Sequence, residues 1–295
     1  MQIIDGKKIS QEILAKIKRE VALLPFQPVF SDVLVGGDPS SIQYVKMKAK
    51  AAESVGIKFH KANFPDSITT PELVKEINVL NKIPNMCGII VQLPLPVHLN
   101  IREVLDAIDP SLDVDCLGIV ASEKFYSGST AGGTAGGIGF PTALACMAII
   151  DYLINSLNIN LAHKKIVVLG QGQLVGKPVT ALLAFRGLTP TTITRKTANK
   201  EQLLKEADVI ISGIGQGKYI TGDMIKEGAV LIDAGTSESL GHSPTGEPNG
   251  GIVGDVDLES VKDAASYVSP VPGGVGPVTV AMLLNNVLRV AKDLK

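Results

Sequence analysis

The sequence predicts an α/β protein in two domains, each built on a parallel sheet. Three observations lead there. Strand-like and helix-like stretches alternate from the N-terminus, and a β-α-β-α rhythm produces parallel sheets. The same rhythm restarts near residue 165, where an apolar strand runs into a glycine-rich turn and a helix, Ile166–Pro178. The length of 295 residues suits two domains of about 150 residues each.

Each element follows from local signals. A first helix starts after Asp5, with Ile9, Ile13, Ile17 and Val21 spaced by four on one face, and ends near Pro25. The run Val29 to Val35 reads as a strand, and Gly36-Gly37-Asp38-Pro39 turns it into a helix reaching about Val55. Gly56 ends that helix, a strand follows over Ile57 to Phe64, and Thr70-Pro71-Glu72 opens a helix ending near Pro84. Gly88 to Gln92 is a short continuous apolar strand, as expected where helices cover both faces. The stretch YSGSTAGGTAGGIG, 126–139, has little to bury and is expected to be a mobile loop beside the site rather than a plain linker. A helix over Thr142 to Asn155 leads into the second half. There strands are expected at Lys165–Leu169, Thr191–Thr194, Val209–Ser212 and Val230–Asp233, with helices to Arg186 and over Lys200–Glu206. A last helix from about Pro277 places Val280, Leu283, Leu284, Val287 and Val290 on one face. No strand follows it, so it is expected to cross back onto the first domain.

Composition excludes several classes. Hydrophobic residues make up 45% and charged residues 19%, ordinary for a globular chain with a filled core. A formal net charge of −1 provides no global field for nucleic acid or anionic lipid. The N-terminus MQIIDGKKIS lacks the apolar stretch of a signal peptide, and the longest apolar run, Ala143 to Ile150, is far short of the ~20 residues that span a bilayer. Cys87, Cys116 and Cys146 form no C-x-x-C and sit in apolar or turn-like settings, which suits buried thiols in a reducing compartment. A cytoplasmic location is expected. His60, His98, His163 and His242 are scattered, and no cluster has metal-ligand spacing, so no metal site is expected.

The segment IVVLGQGQLVGKP carries the clearest chemistry. Gly170 permits the tight turn, Gly172 lets a pyrophosphate approach the backbone, and the following helix N-terminus supplies N–H donors and a positive dipole end. A G-x-G alone is a weak signal, but here the preceding strand, the following helix and a second strand some 20 residues on are all present. Dinucleotide binding is the expectation. NAD sites place Asp or Glu at the end of that second strand, whereas this chain has Thr194-Arg195-Lys196-Thr197 and no acid, which favours NADP over NAD; the alternative is a solvated basic turn.

The first half offers weaker signals. Tyr44 and Lys48 lie four apart on one helix face, either as surface neighbours or as a cleft-facing lysine able to move protons. Gln92 ends a strand, where open α/β sheets place their ligand cleft, or else it satisfies loop backbone. Asp113 and Asp115 would face the same way in an extended segment, or cap a turn. In Tyr267–Leu284 three prolines, at 270, 272 and 277, bracket Gly273, Gly274 and Gly276 just before a helix. Such a backbone can press against a flat ligand.

Together VGGDPSSIQYVKMKAK, GIIVQLPLP, DVD, VGKP, ADVIISGIG, ITGDMIKEGAVLIDAGTS, GIVGDVD and PVPGGVGPVT resemble, in order and nearly end to end, the bifunctional methylenetetrahydrofolate dehydrogenase/methenyltetrahydrofolate cyclohydrolase family. The resemblance implies a folate-binding catalytic domain over 1–140, completed by 270–295, and a Rossmann NAD(P)-binding domain over 141–269. It implies Lys48 as the catalytic lysine with Tyr44 and Gln92 as hydrogen-bonding partners, and Asp115 holding the pterin edge. Pro272, Gly273, Gly274, Val275 and Pro277 would line the folate and nicotinamide contact. Gly170, Gln171, Gly172, Val175, Gly176, Pro178, Arg195, Lys196 and Gly215 would form the cofactor site. A small-molecule folate substrate, NADP with NAD as the alternative, and a homodimer follow from the same resemblance. The chain departs from the family at Leu112, Cys116, Pro141-Thr142-Ala143, Gln171-Gly172 and Thr194-Arg195, where a lysine, a glycine, P-C-T-P, arginine-serine and H-S are usual. A dehydrogenase without the hydrolytic step and a non-catalytic binding protein are the rival readings.

Overall fold

The computed structural model of the chain describes residues 1–128, 137–161, 163–238 and 251–294. Residues 129–136 of the expected mobile loop, and His242, lie outside the described residues. In chain order the elements are β1 (Gln2–Ile3), α1 (Gly6–Val21), β2 (Val29–Val35), α2 (Pro39–Ser54), β3 (Lys58–Phe64), α3 (Thr70–Leu80), β4 (Met86–Val91), α4 (Ile101–Asp106), α5 (Ile119–Tyr126), α6 (Pro141–Leu157), β5 (Ile166–Leu169), α7 (Gly176–Phe185), β6 (Thr191–Ile193), α8 (Lys200–Glu206), β7 (Val209–Ser212), β8 (Ala229–Asp233), β9 (Ser237–Glu238), β10 (Ile252–Val253), α9 (Leu258–Val261), β11 (Ala265–Ser269) and α10 (Val275–Asp293). The chain divides into two compact units, one of Gln11–Pro141 with Val280–Lys295, the other of Met1–Ser10 with Thr142–Thr279.

The first unit is built on a parallel sheet in the order β3-β2-β4. β2 and β4 are buried along their whole length, as strands of a covered parallel sheet should be. Helix α2 starts where the Asp38 carboxylate accepts the Ser41 N–H at 2.7 Å, with Pro39 supplying its fixed φ in the first turn. Helix α3 starts where Glu72 reaches back to the Thr69 N–H at 2.9 Å. From α10, Leu283, Leu284 and Val287 join Phe30, Val33, Leu73, Ile77 and Ile89 in one core, so the last helix does return to the first half of the chain. Asn286 fixes its register, donating to the carbonyls of Val114 and Gly139 at 2.9 and 2.6 Å. Arg289 also donates to the carbonyl of Gly137. Gly88 is required at this contact, because a Cβ there would lie 2.9 Å from both Val114 and Val287.

The second unit holds six parallel strands in the order β1-β11-β8-β7-β5-β6. β6 lies on one side of β5 and β7 on the other, which is the topological switch point of a doubly wound sheet. The sequence placed residues 1–10 with the first domain. Instead Gln2 and Ile3 pair with Tyr267 and Val268, the Ile4 N–H donates to the Val268 carbonyl at 2.8 Å, and Ile4 is buried. A two-residue strand has no periodicity to read; its pairing partner, 265 residues away, creates it. β11 and the helices α4, α5 and α9 also went unpredicted. No helix among the described residues is long and apolar enough to cross a membrane.

Candidate active site

The first unit gathers polar side chains at the carboxyl end of its sheet. Gln92 directly follows β4, and its N–H donates to the Val33 carbonyl at 2.9 Å, so the backbone there is fixed. Its side-chain Nε2 donates to the Leu93 carbonyl at 2.7 Å, which leaves Oε1 to accept from Lys48 Nζ, also at 2.7 Å. Lys48 comes from α2 and is only 9% exposed. Its Nζ also pairs with Asp32 Oδ2 at 2.7 Å. Asp32 sits in the middle of β2, fully buried, and burial pushes its carboxyl above the ordinary range while Lys48 pulls it back. The sequence reading passed over this residue, though its signal was present: a charge inside a continuous apolar strand must find a partner.

The Asp113-Val114-Asp115 segment is a turn rather than an extended strand, and its two carboxylates do different work. Asp113 is buried and accepts the N–H groups of Cys116 at 2.9 Å and Gly118 at 2.7 Å, so it holds the turn. Asp115 is half-buried. Desolvation pushes its carboxyl up to about 7, Lys48 opposes the rise, and Asp113 and Asp32 add to it. Cys116 has a left-handed backbone, φ 63°, at a position where such a conformation favours glycine. Its thiol is raised by burial, as are Cys87 to about 11 and Cys146 to about 12, so all three stay protonated near neutrality. Tyr44 lies one turn before Lys48 on α2, 38% exposed, and no described residue hydrogen-bonds its hydroxyl. Among the described residues no group of three or more His, Cys, Asp or Glu side chains can hold a metal ion.

The second unit contains a cavity of about 770 Å³ at the carboxyl ends of β5, β6 and β7, with Gly170, Gly172, Arg195, Lys200, Ile214 and Gln216 among its walls. Gly170 has φ +93°, and a Cβ there would lie 2.9 Å from Ile214 and 3.0 Å from the Gly213 carbonyl oxygen. Gly176, the first residue of α7, is packed so closely that a Cβ would lie 2.0 Å from the Gly170 carbonyl oxygen. Gly172 has nothing within 4 Å of where its Cβ would be. These are the three glycine roles of a dinucleotide turn: tight turn, helix–strand contact and open approach. Val175 precedes α7 and packs under Gly213, and Pro178 is buried in the first turn of the helix. A dinucleotide fits this cradle.

Gln171 does not point its amide outward; it donates to the Gly170 carbonyl at 2.9 Å and to Thr180 Oγ1 at 3.1 Å. Arg195 and Lys196 are exposed on a tight turn held by Thr194 and Thr197, with Lys200 in the cavity wall beside them. Among the described residues no acid lines this cavity. Gly215, φ +66°, stands in the loop after β7. That loop is tied down by Asp255, which accepts the Ile214 and Gln216 N–H groups, each at 2.8 Å, and the Ser212 hydroxyl at 2.7 Å. Asp233 in turn accepts the N–H groups of Gly235, Asp255 and Val256, and burial pushes its carboxyl up to about 6. Neither aspartate was singled out from sequence, although GIVGDVD contains one of them.

The Pro/Gly loop before α10 lies outside the walls of that cavity. Its Gly274 N–H donates to the Pro270 carbonyl at 2.7 Å, and the start of α1 backs it. A Cβ on Gly6 would lie 1.8 Å from the Gly274 carbonyl oxygen, and the Ser10 hydroxyl donates to the Pro277 carbonyl at 2.9 Å. Gly273 and Gly276 have nothing within 4 Å of a Cβ, so this backbone is packed from behind at Gly274 and open at its neighbours. Pro272 follows a cis peptide bond, and Val275 is buried.

Residues 4–115 match the tetrahydrofolate dehydrogenase/cyclohydrolase catalytic domain, and residues 141–295 match the NAD(P)-binding domain of the same family. The bifunctional protein FolD of Nitratiruptor sp. is 40% identical over 300 residues, covering 100% of this chain and 99% of the relative. The crystal structure of the bifunctional enzyme FolD, a methylenetetrahydrofolate dehydrogenase/cyclohydrolase from Campylobacter jejuni, superposes with a TM-score of 0.87 at 35% identity and covers 100% of both chains. The Trypanosoma brucei N5,N10-methylenetetrahydrofolate dehydrogenase-cyclohydrolase, solved with NADP cofactor and an inhibitor, gives 0.88 at 33% identity over 99% of this chain and 97% of that one.

Proposed function

This chain belongs to the tetrahydrofolate dehydrogenase/cyclohydrolase family, and on that premise we propose that it oxidises 5,10-methylenetetrahydrofolate to the 5,10-methenyl form with NADP and hydrolyses the methenyl form to 10-formyltetrahydrofolate. The observation that carries the reading is the Lys48 ammonium, held at 2.7 Å by Gln92 with Asp115 in electrostatic reach.

NADP, when bound, supplies the acceptor for the hydride that leaves the methylene carbon. The chain's own residues hold and orient. The Gly170–Gly176 turn offers backbone N–H groups to the pyrophosphate, and Arg195 with Lys196 offers cations to the 2′-phosphate. Asp115 presents a carboxylate to the paired N–H donors of the pterin edge. Gly273, Gly274 and Val275, between Pro272 and Pro277, offer flat backbone to the ligands.

Hydrolysis asks more of the protein, because water must lose a proton and a ring nitrogen must gain one. Lys48 is the group placed to move that proton. Gln92 fixes where Nζ points, and Tyr44 offers its hydroxyl at the rim one turn away. Retention of this set favours a bifunctional enzyme over one that has lost the second step. The departures at Leu112 and Cys116 fall on a turn held by Asp113, not on Lys48.

Reduced, buried cysteines suit the cytoplasm, and a homodimer follows from the family resemblance. Assaying NADPH formation and methenyl disappearance separately tests the reading. Both activities are expected; NADPH formation without methenyl hydrolysis would leave the monofunctional rival, and neither would leave a binding protein.

A further inference from the structure

Asp32 is the buried charge that the chemistry above does not use. It has no exposed surface, and neither of its oxygens accepts a well-angled hydrogen bond from any described residue. A lone buried carboxylate is costly, so the ion pair with Lys48 Nζ at 2.7 Å is the compensation for its charge. Lys48, for its part, is almost as buried and holds Gln92 with another of its protons.

The charged and titratable groups around the pair come from three sides. Lys48 projects from α2; Asp113 and Asp115 stand in the turn after α4; and Lys61, the register neighbour of Asp32 in β3, is exposed. The electrostatic pull on Asp32 comes from Lys48, whereas Asp115 feels both members of the pair. One cation therefore serves two acids of different kinds, Asp115 with solvent access and Asp32 with none.

We propose that Asp32 is a positioning residue for Lys48, which anchors the amine from beneath and holds Nζ against Gln92. This rests on the reading of Lys48 as the proton-moving group of methenyl hydrolysis. An anion at 2.7 Å favours the ammonium, and a buried lysine without one favours the neutral amine. Removing the anion therefore moves a limb of the hydrolysis pH profile to lower pH.

Two measurements test this. In Asp32→Asn, one limb of the methenyl-hydrolysis pH profile is expected about 1–3 pH units below its wild-type position. Thermal unfolding of wild type, Lys48→Met, Asp32→Asn and the double variant gives the second readout. Lys48→Met leaves Asp32 buried and uncompensated. Its folded carboxyl then holds a proton that the unfolded chain releases, so the loss of Tm grows as pH rises above the ordinary carboxylate range. Adding Asp32→Asn to Lys48→Met is expected to recover much of that Tm at about pH 8 and to remove its pH dependence. An unmoved limb, or a double variant no more stable than Lys48→Met, overturns the proposal. If Asp32→Asn alone does not fold, the comparison of the double variant with Lys48→Met decides in the same way. A wild type that never hydrolyses the methenyl substrate would remove the functional reading, while the stability comparison still rules on the pair.

Discussion

Two glycines of the cofactor turn, Gly172 and Gly176, should fail differently when each is changed to alanine. At Gly172 a Cβ meets nothing within 4 Å, the residue is exposed and its backbone is not left-handed. The folded protein should accept the methyl without strain and gain about 0.4–1 kcal/mol from the stiffer unfolded chain. If a pyrophosphate lies against that backbone, however, the methyl occupies the approach and keeps the phosphate off its donors. Losing one charge-assisted hydrogen bond costs about 1.5–3 kcal/mol, so Kd for NADP should rise by about tenfold to a hundredfold. At Gly176 the Cβ would lie 2.0 Å from the Gly170 carbonyl oxygen and 2.8 Å from the Gln171 Cα, both of them backbone. Helix α7 would have to back away from β5, at a cost of at least about 1–3 kcal/mol. Thermal unfolding with calorimetric titration of NADP separates the two: Gly172→Ala should keep Tm and lose affinity, and Gly176→Ala should lose both. A Gly172→Ala protein that binds NADP as the wild type does would refute the placement of the pyrophosphate over that residue.

Three other outcomes are expected. Lys48→Met should nearly abolish methenyl hydrolysis, measured by loss of the methenyl chromophore, with folate and cofactor still bound; unchanged hydrolysis removes Lys48 from the mechanism. Because desolvation raises Asp115 to about 7, and on the proposed function its ionised form accepts the pterin N–H groups, folate affinity should climb as pH rises through that value. Below it, affinity should fall by about tenfold per unit. The same raised value means the folded protein holds a proton that the unfolded chain releases, so Asp115 lowers stability as pH rises from its ordinary range to about 7. Asp115→Asn should flatten both dependences, which titrations of folate and of Tm against pH will show. Arg195→Ala should reduce or reverse a preference for NADP over NAD in kcat/KM; an unchanged ratio assigns the 2′-phosphate to other groups.

What the sequence made legible tracks how local each signal is. β2, α2, α8 and β7 were bounded within a residue or two because caps and apolar runs mark them: Asp38-Pro39 before α2, Val-Ile-Ile in β7. The glycine turn after β5 was readable because its three positions each forbid or invite a side chain for a stated reason. Lys48 and Gln92 are joined in the sequence only through the family resemblance, since their 2.7 Å contact spans 44 residues of chain. Asp255 and β1 escaped because nothing beside them in sequence explains them; each exists through partners far along the chain, whereas Asp32 carried a local signal and only its partner was hidden. Gln171 is expected in the cofactor site in place of a phosphate-binding arginine, and only the fold reveals Thr180, nine residues on, as its partner.

The division of the chain has a consequence for how it can be made. Residues 1–10 complete a sheet whose adjoining strand is residues 265–269, and the first unit closes only with residues from 280 onward. A ribosome must therefore translate residues 265–269 and those from 280 onward before both units have all their parts. The emerging N-terminus waits unpaired throughout, and contacts of such long sequence separation form slowly. Gene halves cut near residue 140 would each lack a structural element that the other encodes. Neither should fold fully when expressed alone, and co-expression would be the way to recover them.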